Sequence, residues 1–530
     1  MSRPSSSASL WDTFRSRRRV LAVGRTIAST TRVMDVLALL DDDPRIDLWS
    51  TIVPGSEFAH GVNDFFDGVG LPVLPWRQAV ETRFDLAVAA SANGDLHDLR
   101  GPLMLLPHGA GHNKHDPGDR RRLADLSDDR LVRNGEPVPS LLMLPGVDSM
   151  EQLRRFCPQV VPRARIAGDL TAQQLRSHRR LRSGYRTALG VSAGQRLVVV
   201  SSTWGPQSTL GQDVELLARL LAELPVDEYR VALIVHPNVA ARHGDFNLRR
   251  RLRRALDAGL ILIPSTAGWQ ATVCAADCVL GDSGSTTFYA ADVAPVVISA
   301  HSPNEYPAGG PMEALIGLLP RLDVDAPLRP QVDDAMEGWK PDEVGAVLHR
   351  SIAYDEDAAA RFHGALYELL ELPALAKPEP VPLAVPVVDR RSPRSYVVGC
   401  TVVDGRVVVE RRPAKSGLTV EHGHLVVATD EPSLRLWETA VILVAGDAPG
   451  SLLDRFPACK AVTVDMPGGG CRVHTRLGDV YDFDGASSPV PLRDVAGSLW
   501  YRFHRDGTAL PGELSVVVGG QSFAVSVSPS

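Results

Sequence analysis

The sequence has 530 residues, of which 44% are hydrophobic and 22% are charged, and its formal net charge is −7. This length exceeds what one hydrophobic core supports, so we expect two or three domains of ordinary soluble composition. The negative net charge argues against a broad nucleic-acid-binding surface, and six cysteines in so long a chain do not indicate a disulfide framework.

The first 18 residues are rich in serine and then in arginine, and they lack the apolar stretch of a signal peptide. We expect residues 1–18 to be a disordered basic tail, with a peripheral electrostatic membrane contact as the less favoured alternative. No apolar run elsewhere reaches the length of a membrane span. The expected location is therefore the cytoplasm, with membrane association limited to the surface.

Residues 19–164 alternate short, continuously apolar runs with amphipathic helical patterns, beginning with a strand at 19–23 and a helix at 32–40. Residues 165–325 repeat the pattern, with strands at 197–200, 231–235, 260–263, 278–280 and 295–298. Apolar strands that alternate with helices indicate parallel sheets covered on both faces. We therefore predict an α/β protein with two tandem doubly wound, Rossmann-like domains, closed by a helical segment at 326–372.

The pattern changes after residue 372. Residues 373–394 contain six prolines, which is typical of an extended linker. Beyond it, residues 395–530 alternate apolar and polar side chains with a period of two between Gly, Asp and Pro turns, and this includes a predicted strand at 499–503. We expect a separate all-β domain, either a sandwich or a barrel.

A stretch rich in small and hydroxyl-bearing residues, 276–289, reads as a buried strand, a tight turn and the start of a helix. Free backbone N–H groups and the helix dipole at such a turn favour a phosphate, and Ser283, Ser285 and Thr286 would add hydroxyl donors. An ordinary capped helix after a parallel strand is the alternative, because Ser and Asp are preferred N-cap residues.

Other strand ends of the second domain carry groups suited to a phosphate or a ribose. They are Thr203 after the first strand, His236 after the second, and Ser265 and Thr266 after the third. Ligands of doubly wound domains bind at the carboxyl ends of the strands. The coincidence of several such ends in one sheet favours a nucleotide site more than any single turn does.

In the first domain, the strand near residue 105 ends at His108, which is followed by Gly109. A histidine placed there suits general acid–base chemistry near neutral pH, although it could simply fill the turn. Arg25, after the first strand, and Lys114 are candidate anion contacts. Cys274 and Cys278 lie four residues apart without a second pair at zinc spacing, so we expect no metal site.

The second domain resembles the donor half of a GT-B transferase and, more narrowly, the CDP-glycerol glycerophosphotransferase family of teichoic-acid polymerases. Ser202-Thr203-Trp204 is similar to that family's Pro-Thr-Trp element, and His236-Pro237 is similar to its His-Pro element. Ser265-Thr266, Ala276-Asp277 and Gly281-Asp282-Ser283-Gly284-Ser285 resemble its Ser-Thr, Ala-Asp and Thr-Asp-Tyr-Ser-Ser series. The resemblance covers about residues 19–325.

The match is incomplete in both domains. His108-Gly109 resembles part of the family's Trp-His-Gly-Thr-Pro element, but Pro107 replaces its Trp and Ala110-Gly111 replace its Thr-Pro. Asp282-Ser283-Gly284 also matches the Asp-Ser-Gly-Gly segment of UDP-N-acetylglucosamine 2-epimerases. Phe288 and Tyr289 stand where those epimerases carry two glutamates, so an epimerase is the less favoured alternative.

The resemblance implies a transferase that moves a glycerophosphate or sugar from a nucleotide-diphosphate donor to a hydroxyl acceptor in cell-envelope or glycan synthesis. His108 would be the base. The donor would contact Thr203, His236, Ser265, Thr266, Asp282, Ser283, Ser285 and Thr286. Helix dipoles and histidines replace a metal in this fold type, and no cofactor is expected. The departures around His108 keep open a non-catalytic nucleotide- or glycan-binding protein.

Overall fold

The computed structural model describes residues 16–111, 115–116, 119–301, 306–353, 357–377, 382–388, 392–417, 423–446, 449–467, 469–485 and 487–530. These residues form three layered regions, each with its own sheet. No helix within them is both long and apolar enough to cross a membrane. The six cysteines are unpaired and buried.

The N-terminal region contains a sheet covered on both faces. Its strands are β1 (Arg18–Gly24), β2 (Ile46–Ile52), β3 (Val73–Leu74), β4 (Leu86–Ala89), β5 (Leu103–Leu105), β6 (His115–Asp116), β7 (Asp119–Leu123), β8 (Val132–Arg133), β9 (Glu136–Pro137), β10 (Leu141–Leu144) and β11 (Ala164–Ile166). Its helices are α1 (Ile27–Leu37), α2 (Val62–Val69), α3 (Trp76–Glu81), α4 (Asp128–Leu131) and α5 (Val147–Phe156). Strands β6–β9 form two small hairpins outside the main sheet.

The main N-terminal sheet has the order β11-β10-β5-β4-β1-β2-β3, and each neighbouring pair of strands is parallel. The chain moves from β1 outward to β3 and then returns to β4 on the other side of β1. The strand order therefore reverses between β1 and β4, which is the topological switch point of a doubly wound sheet.

The second region repeats this plan. Its strands are β12 (Arg196–Ser202), β13 (Tyr229–Val235), β14 (Ile261–Leu262), β15 (Cys278–Gly281) and β16 (Val297–Ser299), in the order β14-β13-β12-β15-β16. The pairs are again parallel, and the order reverses between β12 and β15. Residues 197–200 of β12 are fully buried, because helices cover both faces of the sheet.

Helices surround this second sheet and connect it to the first. They are α6 (Leu170–His178), α7 (Arg182–Leu189), α8 (Thr209–Gln212), α9 (Leu216–Glu223), α10 (Pro237–His243), α11 (Asp245–Arg251), α12 (Arg253–Asp257), α13 (Trp269–Ala275), α14 (Ser285–Val293), α15 (Pro311–Leu318), α16 (Leu328–Glu337), α17 (Pro341–Ile352) and α18 (Ala358–Leu370). Helix α17 packs in the core of the second sheet, whereas α18 returns to the core of the first. The predicted closing segment thus reaches both sheets.

The C-terminal region is a closed barrel with the order β17-β18-β24-β25-β23-β22-β21-β20-β19. Its strands are β17 (Ser395–Val403), β18 (Arg406–Pro413), β19 (His424–Ala428), β20 (Ile442–Ala445), β21 (Ala461–Asp465), β22 (Cys471–Thr475), β23 (Val480–Asp484), β24 (Glu513–Val518) and β25 (Gln521–Pro529). Its helices are α19 (Leu434–Thr439), α20 (Pro449–Arg455) and α21 (Arg493–Arg505).

The prediction of a barrel is confirmed, but the prediction that the domain is all-β is wrong, because three helices accompany the strands. Residues 499–503, predicted as a strand, lie in helix α21. Val495, Ala496, Leu499 and Trp500 are buried, and this i, i+1, i+4, i+5 spacing is that of a helical stripe. The stripe packs on the barrel's apolar interior. The aromatic run around Trp500 favoured a strand by propensity, and burial of the helical stripe overrides that preference.

The barrel contacts the second region at the amino ends of the strands of the second sheet. Arg411 of β18 donates hydrogen bonds of 2.9 and 2.6 Å to Asp227, which lies just before β13. The Val226 N–H donates to the Arg411 carbonyl at 2.9 Å. Because Asp227 is at the amino end of β13, the barrel lies at the end of the sheet opposite the carboxyl ends. The described part of the predicted linker also has contacts, since Leu383 is buried in the second region's core.

Candidate functional site

The carboxyl ends of the two sheets hold most of the side chains predicted to act on a ligand. In the second sheet, Thr203 directly follows β12 and Asp282 directly follows β15, on the two sides of the switch point. In the first sheet, Arg25 directly follows β1, and His108 lies three residues after the end of β5. The two switch points are where a doubly wound sheet offers a crevice for a ligand.

Asp282 joins the two strands at the switch point of the second sheet. Its Oδ2 accepts hydrogen bonds from the Thr203 N–H at 2.8 Å, the Thr203 hydroxyl at 2.7 Å and the Thr209 N–H at 3.0 Å. The residue is completely buried. The carboxylate thus fixes the loop after β12 and the start of α8, and it contacts a ligand only if that ligand enters the switch point.

The N-terminus of α14 is open to a partner. Its N-cap is Gly284, which supplies no side-chain acceptor, and its first turn has no acidic residue. Close to it, three buried polar atoms have no hydrogen-bond partner among the described residues: Asp282 Oδ1, Ser283 Oγ and Thr287 Oγ1. Buried polar atoms are normally paired, so atoms left unpaired at a helix N-terminus indicate a place for a ligand or water.

His108 is half-exposed and paired with an acid that the sequence did not reveal. Its Nδ1 lies 3.3 Å from Oδ2 of Asp125, whose side chain is 9% exposed. Asp125 Oδ1 accepts hydrogen bonds from the Ala92 N–H at 3.2 Å and the Asn93 side-chain amide at 2.9 Å. An acid on Nδ1 fixes the ring and leaves Nε2 as the nitrogen that can exchange a proton with a substrate.

The loop that carries His108 reaches the N-terminus of α14. The Ala110 N–H donates to Ser285 Oγ at 3.2 Å. A Cβ on Gly109 would lie 2.3 Å from the same oxygen, so only glycine permits this approach. The loop that carries His108 in the first region therefore contacts the N-terminus of α14 in the second region.

Arg25 lies at the edge of the same crevice. Its Nη1 donates to the Pro54 carbonyl at 3.3 Å. Burial and the nearby Arg130 lower the pKa of its guanidinium, and the nearby Asp125 partly offsets this. A cation held next to a like charge gains from an anionic partner. Lys114, the second predicted anion contact, lies outside the described residues.

The remaining predicted contacts lie on the second sheet. His236 is the N-cap of α10, where its Nδ1 accepts from the Asn238 N–H at 3.1 Å. That bond leaves the proton of the neutral ring on Nε2, which is then a donor. Ser265 is partly buried and Thr266 exposed in the turn after β14. In that turn Gly268 lies so close to Pro386 that a Cβ would be 2.6 Å from its Cβ.

An aromatic pair bridges the two regions beside the crevice. The rings of Trp204, after β12, and Phe58, after β2, have centroids 4.9 Å apart at an angle of 56°. Trp204 is still 43% exposed. The indole thus packs on the other region and gives the crevice an apolar wall on one side.

A buried polar network connects α1 with α14 beneath the crevice. Arg32 donates to the Tyr289 hydroxyl, which donates to Asp169 Oδ2 at 2.8 Å. Asp35 lies 3.7 Å from Arg32. Desolvation, partly offset by Arg32, raises the pKa of Asp35 to about 6. Tyr289 occupies one of the positions where the epimerases carry a glutamate, and here it serves this network.

No protein-family model matches the chain, and no curated protein matches it. Solved structures similar to it include the wall teichoic acid polymerase TagF, with 14% identity over 68% of this chain and 89% of that one at a TM-score of 0.46. A UDP-GlcNAc 2-epimerase from Neisseria meningitidis, bound to UDP-GlcNAc, has 11% sequence identity over 67% of this chain and 99% of that one, at a TM-score of 0.42. A glycosyltransferase from Rickettsia africae ESF-5 has 10% sequence identity over 67% of this chain and 98% of that one, at a TM-score of 0.40.

These structures are of the kinds to which the sequence motifs were compared, namely a teichoic-acid polymerase, a glycosyltransferase and an epimerase. Their identities lie far below the level at which site residues can be transferred. The assignment of two doubly wound regions rests on the strand orders and parallel registers described above.

Asp125 is the functional candidate that the sequence did not provide. It lies 17 residues after His108, and its backbone φ of 64° places it in the left-handed region. No motif surrounds it, and the pairing depends on the return of the chain after the hairpin of β6 and β7. The contacts of Ala110 with Ser285 and of Phe58 with Trp204 were also absent from the predictions, because they depend on how the two regions face each other.

Proposed function

We propose that the protein is a GT-B-type transferase that moves a glycerophosphate or sugar group from a nucleotide-diphosphate donor to a hydroxyl acceptor. The observation that supports it most is that the loop carrying His108, which is paired with Asp125, contacts the uncapped N-terminus of α14 through the Ala110 N–H. One element can move a proton, and the other stabilises negative charge on a phosphate. Transfer from a phosphate ester requires both.

In this proposal the donor's diphosphate lies on the N-terminus of α14, where Ser283, Ser285 and Thr286 supply hydroxyls. Thr203, His236, Ser265 and Thr266 lie at the ends of the neighbouring strands and contact the rest of the nucleotide. Asp282 acts indirectly, since its Oδ2 already holds Thr203 and Thr209. Arg25 approaches the anionic substrate from the first sheet.

The chemistry needs one proton transfer and one displacement. His108 Nε2 takes the proton of the acceptor hydroxyl while the acceptor oxygen forms a bond to the donor. With a CDP-alcohol that bond is to phosphorus and CMP leaves; with a nucleotide sugar it is to the anomeric carbon and the nucleoside diphosphate leaves. The leaving group's negative charge is stabilised by the α14 N–H groups. Asp125 stabilises the imidazolium that forms.

The test combines binding with turnover. Thermal shifts with CDP, UDP and GDP identify the base, and hydrolysis or transfer of the matching donor is then measured for wild type and for His108→Ala. We expect turnover to fall by about 10²–10⁴ in His108→Ala, with nucleotide binding retained. His97→Ala, a histidine in the same region outside the crevice, is the matched control and should keep wild-type turnover.

Two results would contradict the proposal in different ways. Nucleotide binding without turnover of any donor would indicate a non-catalytic nucleotide-binding protein on this fold. Turnover that is equal in wild type and His108→Ala would instead remove His108 from the role of base while leaving the donor site intact.

A further inference from the structure

The connection between β13 and β14 carries a strongly basic surface that the proposed reaction does not use. Residues 242–257 contain six arginines against two aspartates, a formal charge of +4 within a protein whose net charge is −7. The arginines are Arg242, Arg249, Arg250, Arg251, Arg253 and Arg254, and each is exposed. We call the surface formed by α11 and α12 the basic face.

The helical periodicity explains how the arginines come to share this face. Leu248, Leu252, Ala255 and Leu256 are buried in the core of the second sheet, which fixes the inner stripe of α11 and α12. Phe246, Arg249, Arg250 and Arg253 follow an i, i+3, i+4, i+7 spacing on the other side. The arginines thus lie along one outer surface, which extends about 10 Å from Phe246 to Arg253.

Phe246 is the unusual member of this surface. It is 79% exposed, and it stands at the start of α11 among the cationic side chains. Exposing a phenylalanine to water is unfavourable relative to burying it. Arginines with a projecting phenylalanine are the composition of helices that lie at a membrane interface, where cations meet anionic headgroups and the aromatic ring enters the acyl boundary.

Within α11 and α12, two aspartates stand against five arginines. Asp245 opens α11 and Asp257 ends α12, so both lie at the margins of the arginine row. The charge therefore favours an anionic partner at neutral pH.

We propose that the basic face of α11 and α12 docks the protein on an anionic phospholipid surface, with Phe246 inserted between headgroups. The contact is peripheral and reversible, and it depends on salt. It differs from the contact considered for the arginines of residues 1–18, because it is formed by a folded helical surface, which packs beside the barrel at Gly417. Helix α10 separates it from His236 by about 10 Å.

The experiment is vesicle flotation with the full chain. Vesicles of phosphatidylcholine with roughly 30% phosphatidylglycerol are compared with pure phosphatidylcholine, at low salt and at about 0.5 M NaCl. Wild type should float with the anionic vesicles at low salt only. Arg249→Gln/Arg250→Gln/Arg253→Gln should lower the partition coefficient about 100-fold, because each arginine near an anionic surface contributes roughly fivefold.

Two matched controls distinguish binding by this surface from the effect of removing any three exposed arginines or any exposed apolar side chain. Arg133→Gln/Arg406→Gln/Arg435→Gln removes three exposed arginines elsewhere and should change partitioning less than about threefold. Phe246→Ser should weaken it about tenfold, whereas Leu477→Ser, at a site 72% exposed in the barrel, should not. All these side chains are at the surface, and the thermal unfolding of each variant confirms folding.

The proposal is overturned if wild type does not float with anionic vesicles at low salt, or if the control triple variant loses as much partitioning as the basic-face variant. Fluorescence anisotropy with single-stranded and duplex oligonucleotides tests a nucleic acid as the alternative partner of the basic face. Tight oligonucleotide binding that is lost in the basic-face variant, without vesicle binding, would reassign the surface to a nucleic acid.

Discussion

The two ends of the second sheet are built from the same strands and differ in how their polar groups are satisfied. At the amino end, Arg411 and Asp227 are almost fully buried and bonded bidentately, and Arg329 donates to both Glu228 and Glu410. At the carboxyl end, Ser283, Thr287 and Asp282 keep buried polar atoms without partners among the described residues. Buried guanidinium nitrogens without partners also occur at the first end, on Arg230 and Arg412. The two ends therefore differ in the kind of group left unpaired, which is cationic at the barrel contact and a hydroxyl or carboxylate oxygen beside the N-terminus of α14.

This difference separates attachment from function. The barrel contributes charges that close the amino end, so it behaves as part of the second region and leaves the crevice free. Among the described residues, the carboxyl end is contacted by the loop after β5, through the bond from the Ala110 N–H to Ser285 Oγ, and by Phe58, whose ring packs on Trp204.

The largest effect on stability is expected at the amino end. Arg411→Ala leaves Asp227 buried without its cation, which should lower the free energy of unfolding by about 3–5 kcal/mol. Urea unfolding followed by fluorescence measures it, and Arg435→Ala on an exposed barrel helix is the control. Nucleotide binding should be unchanged, so a variant that loses binding while remaining folded would break the separation of the two ends.

At the carboxyl end, Asp282→Ala removes the acceptor of two backbone N–H groups and one hydroxyl. We expect a loss of about 2–4 kcal/mol in the free energy of unfolding, because buried donors without acceptors are costly. Thr203→Val removes only one of the donors and should cost about 1 kcal/mol. Equal stability of Asp282→Ala and wild type would show that the switch point is not braced by this carboxylate.

Gly109→Ala tests the approach of the two regions. The new Cβ would overlap Ser285 Oγ, and we expect a cost of about 1–3 kcal/mol together with weaker turnover. Ser285→Gly in the same chain removes the overlapping atoms and should restore most of the stability. If the double variant loses as much free energy of unfolding as the two single variants do together, the two residues are not in contact.

The smallest effect is a pH dependence in the network beneath the crevice. The raised pKa of Asp35 means that the folded state binds this proton more tightly than the unfolded state does. Ionisation of Asp35 therefore lowers the protein's free energy of unfolding as the pH rises from about 4 through 6. Asp35→Asn should therefore raise the free energy of unfolding by about 1–2 kcal/mol near pH 7.5 and by less near pH 4.5. A gain of the same size at both pH values would contradict the assignment.

The sequence was most informative where local pattern and tertiary burial agree. The fully apolar runs of β12 and β15 lie in parallel sheets because helices cover both faces, and their ends fall where the motifs placed them. It was misleading at residues 499–503, where aromatic residues favoured a strand and the buried stripe of α21 requires a helix.

The candidate site could be located from the sequence, but its connections could not. Ser285 and His108 were identified as strand-end residues, and nothing local shows that their loops touch. Asp125 has no motif around it, because its partnership with His108 depends on a left-handed turn and on the path of the intervening hairpin. The hydroxyls of 283–287 suggested a phosphate, and only the structure shows which of them lack partners.

The central claim is that the carboxyl end of the second sheet is a diphosphate site. Isothermal titration of CDP, UDP and GDP, each beside its nucleoside, tests it most directly on wild type, on Ser283→Ala/Thr286→Val and on Arg435→Ala. We predict that one diphosphate binds at least about tenfold more tightly than its nucleoside, and that only the Ser283→Ala/Thr286→Val variant loses this advantage. A nucleoside that binds as tightly as its diphosphate, or an advantage that survives in that variant, would contradict the account.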